Sequence, residues 1–169
     1  MEQTAKLYSY GYKESKTYLF SALFIAGNII LPQLCHLIPS GGLIFLPIYF
    51  FTLIAAYKYG LTVGVLTAVA SPLVNSLLFG MPPAVALPAI IIKSVVLALA
   101  ASVAAGRVRK VSIIALVLVV ASYQIVGGIA EWGITGSIQA ALQDFKIGLP
   151  GMLLQIFGGY IVLKALEKR

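Results

Sequence analysis

Residues 41–83 read "GGLIFLPIYFFTLIAAYKYGLTVGVLTAVASPLVNSLLFGMPP". Two apolar runs, Gly42–Tyr59 and Leu61–Phe79, meet across the tetrapeptide "YKYG" at 57–60. Each is about as long as a helix must be to cross roughly 30 Å of hydrocarbon. A connection this short leaves the second run no course but to return beside the first.

Four further runs of similar length flank this pair: Thr17–Leu31, Pro83–Ala105, Val111–Glu131 and Gly148–Leu166. The 169 residues are 60% hydrophobic and 10% charged, with a mean hydropathy of +1.00. A soluble domain carries roughly a quarter charged residues. A chain this apolar cannot clothe itself in polar groups, so its solvent is the bilayer. The fold expected is an all-α membrane protein of six transmembrane helices. Residues 1–16 form a cytoplasmic N-terminal segment and 17–169 a single membrane domain. The opening "MEQTAKLYSYGYKESKTY" has neither the apolar core nor the cleavage site of a signal peptide, so it is expected to stay in the mature chain.

The net charge of +7 sets orientation. With the N-terminus in the cytoplasm, Lys6, Lys13, Lys16, Lys58, Arg107, Arg109, Lys110, Lys164, Lys168 and Arg169 all fall on that side, ten of the twelve basic residues. Lys146 lies outside and Lys93 within the membrane. That bias predicts an N-in, C-in topology. The basic charge serves topology and contact with anionic lipid, not nucleic acid.

The polar residues inside the spans are unevenly placed. Asn28, Asn75, Lys93, Gln124, Glu131 and Gln155 come from five runs and all fall at or above mid-membrane on the outer side. Ser71, Asn75 and Phe79 share one helical face, with Pro72 expected to interrupt the helix beside them. Gln124, Gly128 and Glu131 share another face, and Gly151, Gln155 and Gly158 a third. An intramembrane charge faces a partner or a cavity. Lys93 therefore pairs with Glu131, or contacts an anionic or acceptor-rich ligand, or does both in turn. Single Asn and Gln residues have a plainer use as interhelical hydrogen-bond glue. Together they predict a pocket on the outer side above a sealed inner half, unlike a channel, which needs polar lining throughout.

The loop "PQLCHLIPSGG" at 32–42 holds the only cysteine and the only histidine. Pro32 is expected to end the first helix, and Gly41-Gly42 to let the backbone bend into the second. The segment reads as a cap over the pocket, with His36 a ligand contact or a hydrogen-bond partner that steadies the loop, and Cys35 a small packing residue. "WGITGSIQAALQDFKI" (132–147), with a helix-like stretch at Ile134–Gln143, is the other long outer connection.

Catalysis finds little support. A hydrolase needs a nucleophile and base together, and there is no Gly-x-Ser-x-Gly elbow. Ser94 and Lys93 are adjacent and point to different helix faces. Cys35, His36 and Glu131 make only three speculative metal ligands. No phosphate-binding glycine loop accompanies "IIIKS" at 90–94. The chain is expected not to be an enzyme and to need neither metal nor cofactor.

Small size, six helices, the outer pocket and the 41–83 stretch resemble the substrate-binding S components of energy-coupling factor (ECF) vitamin transporters. The resemblance implies a prokaryotic cell membrane and capture of a vitamin or precursor from outside. It also implies delivery by docking to a coupling transmembrane protein and two ATPase subunits. That family docks through an Ala-x-x-x-Ala pattern on its first helix, and "SALFIAG" supplies Ala22 and Ala26 there. Small residues four apart let another helix approach closely, whether a partner's or a neighbour's. The substrate site is expected to draw on His36, Tyr49, Asn75, Phe79, Lys93, Gln124, Glu131, Trp132 and Gln155. Aromatics to stack a ring, amides and one cation suit a small heteroaromatic vitamin with a carboxylate or other acceptor. A corrinoid bound through Cys35 or His36 is a second class. A membrane structural or assembly subunit is the alternative function.

Overall fold

The computed structural model describes residues 7–167. Lys6, Lys168 and Arg169 of the charge count lie outside them. The described chain is all-helical, and five helices are long and apolar enough to cross a membrane: α1 (Ser15–Cys35), α4 (Leu61–Phe79), α5 (Leu87–Val108), α6 (Ile113–Thr135) and the combined stretch Leu149–Glu167. It is a multi-pass helical membrane protein.

The second expected span, Gly42–Tyr59, is not one helix. It divides into α2 (Gly41–Phe45), a 3-10 turn at Pro47–Tyr49 and α3 (Phe50–Tyr59). Pro47 causes the break: its ring disfavours right-handed helix at the preceding residue and it has no N–H to continue the ladder. Leu46 accordingly sits at φ 45°, ψ 47°, in the left-handed region. Broken helices survive at membrane depth only where protein buries them. Here Leu53, Ile54 and Ala55 are fully enclosed, with α1, α4 and α5 packed around α3. The short helix is the core of the bundle.

Two other prolines do less than expected. Pro32 lies inside α1, which runs on to Cys35, and Pro72 lies inside an unbroken α4. Proline removes the hydrogen bond to the carbonyl four residues back. In α1 that carbonyl belongs to Asn28, and Asn75 Nδ2 donates to it at 2.9 Å. The Asn28 side chain meanwhile donates to Thr52 Oγ1 and Ser71 Oγ, at 3.0 and 3.1 Å. Its Oδ1 accepts the Phe51 N–H, one of the orphan amides of the first turn of α3. Asn28→Leu is expected to orphan that N–H and destabilise the fold by about 2 kcal/mol, measured by unfolding in detergent.

Because α1 absorbs Pro32–Cys35 and α2 begins at Gly41, the first connection shrinks to residues 36–40. The expected cap is a tight turn. The fourth run begins at Leu87, with Pro88 in its first turn, where a missing N–H costs nothing. The last connection holds α7 (Ile138–Ala141) and α8 (Gln143–Ile147) in place of one helix over 134–143. The final span starts as α9 (Leu149–Leu153), passes through a π turn at Leu154–Gly158 and ends as α10 (Gly159–Glu167).

One end of the bundle is sealed. Tyr8, Tyr10, Phe20 and Tyr59 stack with centroids 4.2–6.2 Å apart. The N-terminal segment is tied there by the Tyr8 N–H to the Lys58 carbonyl, 2.9 Å. Lys58 Nζ donates to the Leu166 carbonyl at 3.0 Å, and Tyr57 Oη to the Lys110 carbonyl at 2.7 Å. These contacts gather the basic connections and the end of α10 on one side.

Candidate functional site

At the opposite end, Lys93 projects from the first third of α5. Its stem crosses α6 at Gly127, where a Cβ would collide with Lys93 Cγ. One turn further along the same face of α6 stands Glu131. Lys93 Nζ donates to Glu131 Oε2 at 2.6 Å and to Asp144 Oδ2 of α8 at 2.9 Å. The three side chains are 4%, 20% and 12% exposed. Both bonds are charge-assisted and short, the strong kind. α7 and α8 are thus fastened over the end of the bundle by a carboxylate on a buried ammonium.

Beside this cluster lies a buried hydrogen-bond chain. Gln124 Nε2 donates to Tyr123 Oη at 3.0 Å, and Tyr123 Oη donates to Gln155 Oε1 at 2.9 Å. Gln155 belongs to the π turn, a feature frequent at functional sites. Tyr49, just after the break in the second span, packs on Tyr123 with centroids 5.2 Å apart. Asp144 stands within electrostatic reach of both tyrosines. Gln124 Oε1 and Gln155 Nε2 are buried without partners, a cost that a bound molecule can relieve.

Gln124 also touches an apolar groove of about 250 Å³ on the outward flank of α6, α7 and α8, whose walls Ile129, Trp132, Ile138 and Phe145 are about half exposed and which Lys93, Glu131 and Asp144 do not line. Of the residues expected to form the site, Tyr49, Lys93, Gln124, Glu131 and Gln155 fall in this polar region, while Trp132 stands half-exposed on the outward groove. Asn75 belongs to the Asn28 network, holding α4 to α1. Phe79 ends α4 half-exposed. His36 folds back on its own loop, its Nε2 2.7 Å from where a Cβ on Gly42 would stand. Among the described residues no three His, Cys, Asp or Glu side chains assemble as a metal site. Asp144 was not singled out for the site by sequence. Its one signal was being an acid in the last outer connection.

No family model matches the chain, and neither a curated protein nor a solved structure does.

Proposed function

We propose that this chain is the substrate-binding S component of an ECF-type importer, taking a vitamin or precursor from outside a prokaryotic cell. The observation that carries the reading is the buried site of Lys93, Glu131, Asp144, Gln124, Tyr123 and Gln155 at one end of a bundle whose basic end is closed by stacked aromatics. A polar cluster at one end of the bundle, opposite a closed basic end, suits a capture protein that another machine must turn over. By the positive-inside rule the basic end faces the cytoplasm, and the broken second span then completes six crossings with both termini inside.

The first helix supports docking. Ala22 and Ala26 are exposed, on a face shared with Leu19, Leu23 and Ile30. Their exposure leaves them open to the approach of a helix of the coupling protein.

The test is co-expression of tagged chain with candidate coupling and ATPase subunits, followed by copurification and radiolabelled vitamin uptake. The wild type is expected to hold the ATPase subunits and to confer uptake. Ala22→Leu with Ala26→Leu is expected to weaken association at least about tenfold, near 1.4 kcal/mol, without altering substrate affinity. A chain that neither associates nor takes up any vitamin is a structural subunit instead.

A further inference from the structure

We infer that α7 and α8 form a lid over Lys93 and Gln124, latched by Asp144 and hinged at Gly136 and Gly148. Its use in substrate capture rests on the reading above; the latch itself does not.

The segment is lightly held. Ala141 is the one buried residue of α7, and α8 has none. Ile138, Leu142 and Phe145 turn outward, so little apolar area fastens the two helices to the bundle. Where they lie along α6 the fit is incomplete. The groove that Gln124 touches separates Ile125, Ile129 and Trp132 of α6 from Ile138, Leu142 and Phe145. Close approach is made at Gly128, where a Cβ would stand 3.3 Å from the Ala141 carbonyl oxygen, and at Gly148, which passes Leu46. Among the described residues, the only hydrogen bond tying α7 or α8 to another span is the one Asp144 accepts from Lys93. Segments with few buried apolar contacts are the ones that open at least cost.

Both ends of the segment are glycines. Gly136 closes α6 at φ 67°, with nothing within 4 Å of where its Cβ would stand. Gly148 lies between α8 and α9. Hinges are a few terminal positions of this kind that absorb the change in backbone angles.

Two carboxylates on one ammonium suit a latch that releases. Glu131 stands on α6, a spanning helix, whereas Asp144 stands on the lid. When α8 lifts, Lys93 keeps its 2.6 Å bond to Glu131, and no bare ammonium is left within the membrane. Asp144 passes to water, which solvates a carboxylate without a counterion. A Lys93–Asp144 pair alone would oppose opening with the full cost of leaving a buried charge unpaired. The Lys93 stem, pressed on Gly127, keeps the ammonium in place for the lid to return.

Amide hydrogen exchange of the full chain in lipid nanodiscs, read by mass spectrometry without ligand, tests the lid. The reporters are the N–H groups of Ala141, Leu142, Lys146 and Gly148, each bonded within the segment, compared with those of α4 and α5. Asp144→Ala is expected to speed exchange in the segment at least about tenfold and to leave α4 and α5 unchanged. Glu131→Gln, which keeps Asp144 on Lys93, is expected not to speed it. A segment unaffected by Asp144→Ala overturns the latch, as does a wild-type segment that already exchanges like unfolded chain. Faster exchange throughout Asp144→Ala, α4 and α5 included, makes Asp144 a general structural residue and overturns the lid. No substrate enters the measurement, so a result against the lid leaves capture standing, and a failure of uptake leaves the lid standing.

Discussion

Lys93→Met is expected to destabilise the folded chain by about 3–5 kcal/mol, the cost of removing one partner from a buried ionic group. Methionine fills much of the same volume and keeps the stem over Gly127, so little of the loss is packing. What remains is two largely buried carboxylates, Glu131 and Asp144, with no cation between them. The loss should be relieved when Glu131→Gln and Asp144→Asn are added to Lys93→Met, because amides carry no charge to neutralise. Unfolding of purified protein in mild detergent, followed by tryptophan fluorescence, checks both statements. Trp132 is the only tryptophan and adjoins Glu131. A Lys93→Met variant as stable as wild type would mean that the ion cluster contributes nothing to fastening α7 and α8.

Gly151→Val is expected to cost about 3 kcal/mol, the upper end for overpacking, because the obstacle is backbone. A Cβ at Gly151 would run into the Phe45 carbonyl group and come within 2.9 Å of the Ile44 carbonyl oxygen. A flexible side chain could swing aside, but the end of α2 cannot. It is fixed by the left-handed turn at Leu46 and by Pro47. The displaced α2 would carry with it Tyr49, and hence the ring against Tyr123. The variant should therefore lose substrate affinity as well as stability, read by unfolding and by binding titration on the same sample. Gly158→Ala, where a Cβ would meet Phe50 and Leu154 side-chain atoms at 3.2 and 3.3 Å, should be far milder. Equal effects of the two would argue against the backbone contact as the cause.

Much of the bundle was legible in order. Hydropathy located the third run at Leu61–Phe79, where α4 begins and ends, and the other long helices to within a few residues. Missing from that reading was what prolines do in context. Pro47, in the middle of an apolar run, breaks the second span; Pro32 and Pro72, which looked disruptive, are carried within continuous helices. For Pro32 a distant group takes the freed carbonyl. It is Asn75, 43 positions away, and no local pattern announces that. The site was legible in kind: Lys93, Glu131, Gln124 and Gln155 were singled out because polar groups in hydrocarbon must find partners. Asn75 was assigned to the site by the same rule, yet its partner proved to be backbone.

The sequence by itself determined the solvent, the position of the five long apolar helices to within a few residues and the crowding of polar residues toward one end. All of these follow from sums over neighbouring residues, and a membrane span is a local property of about twenty positions. Tertiary structure alone decided that Asp144 joins Glu131 on Lys93, that α3 lies in the core, and that Ala22 and Ala26 face outward. Each depends on which distant segments touch. A salt bridge 51 positions apart in the chain is fixed by the fold-back of α7 and α8 and by a glycine that lets a lysine pass.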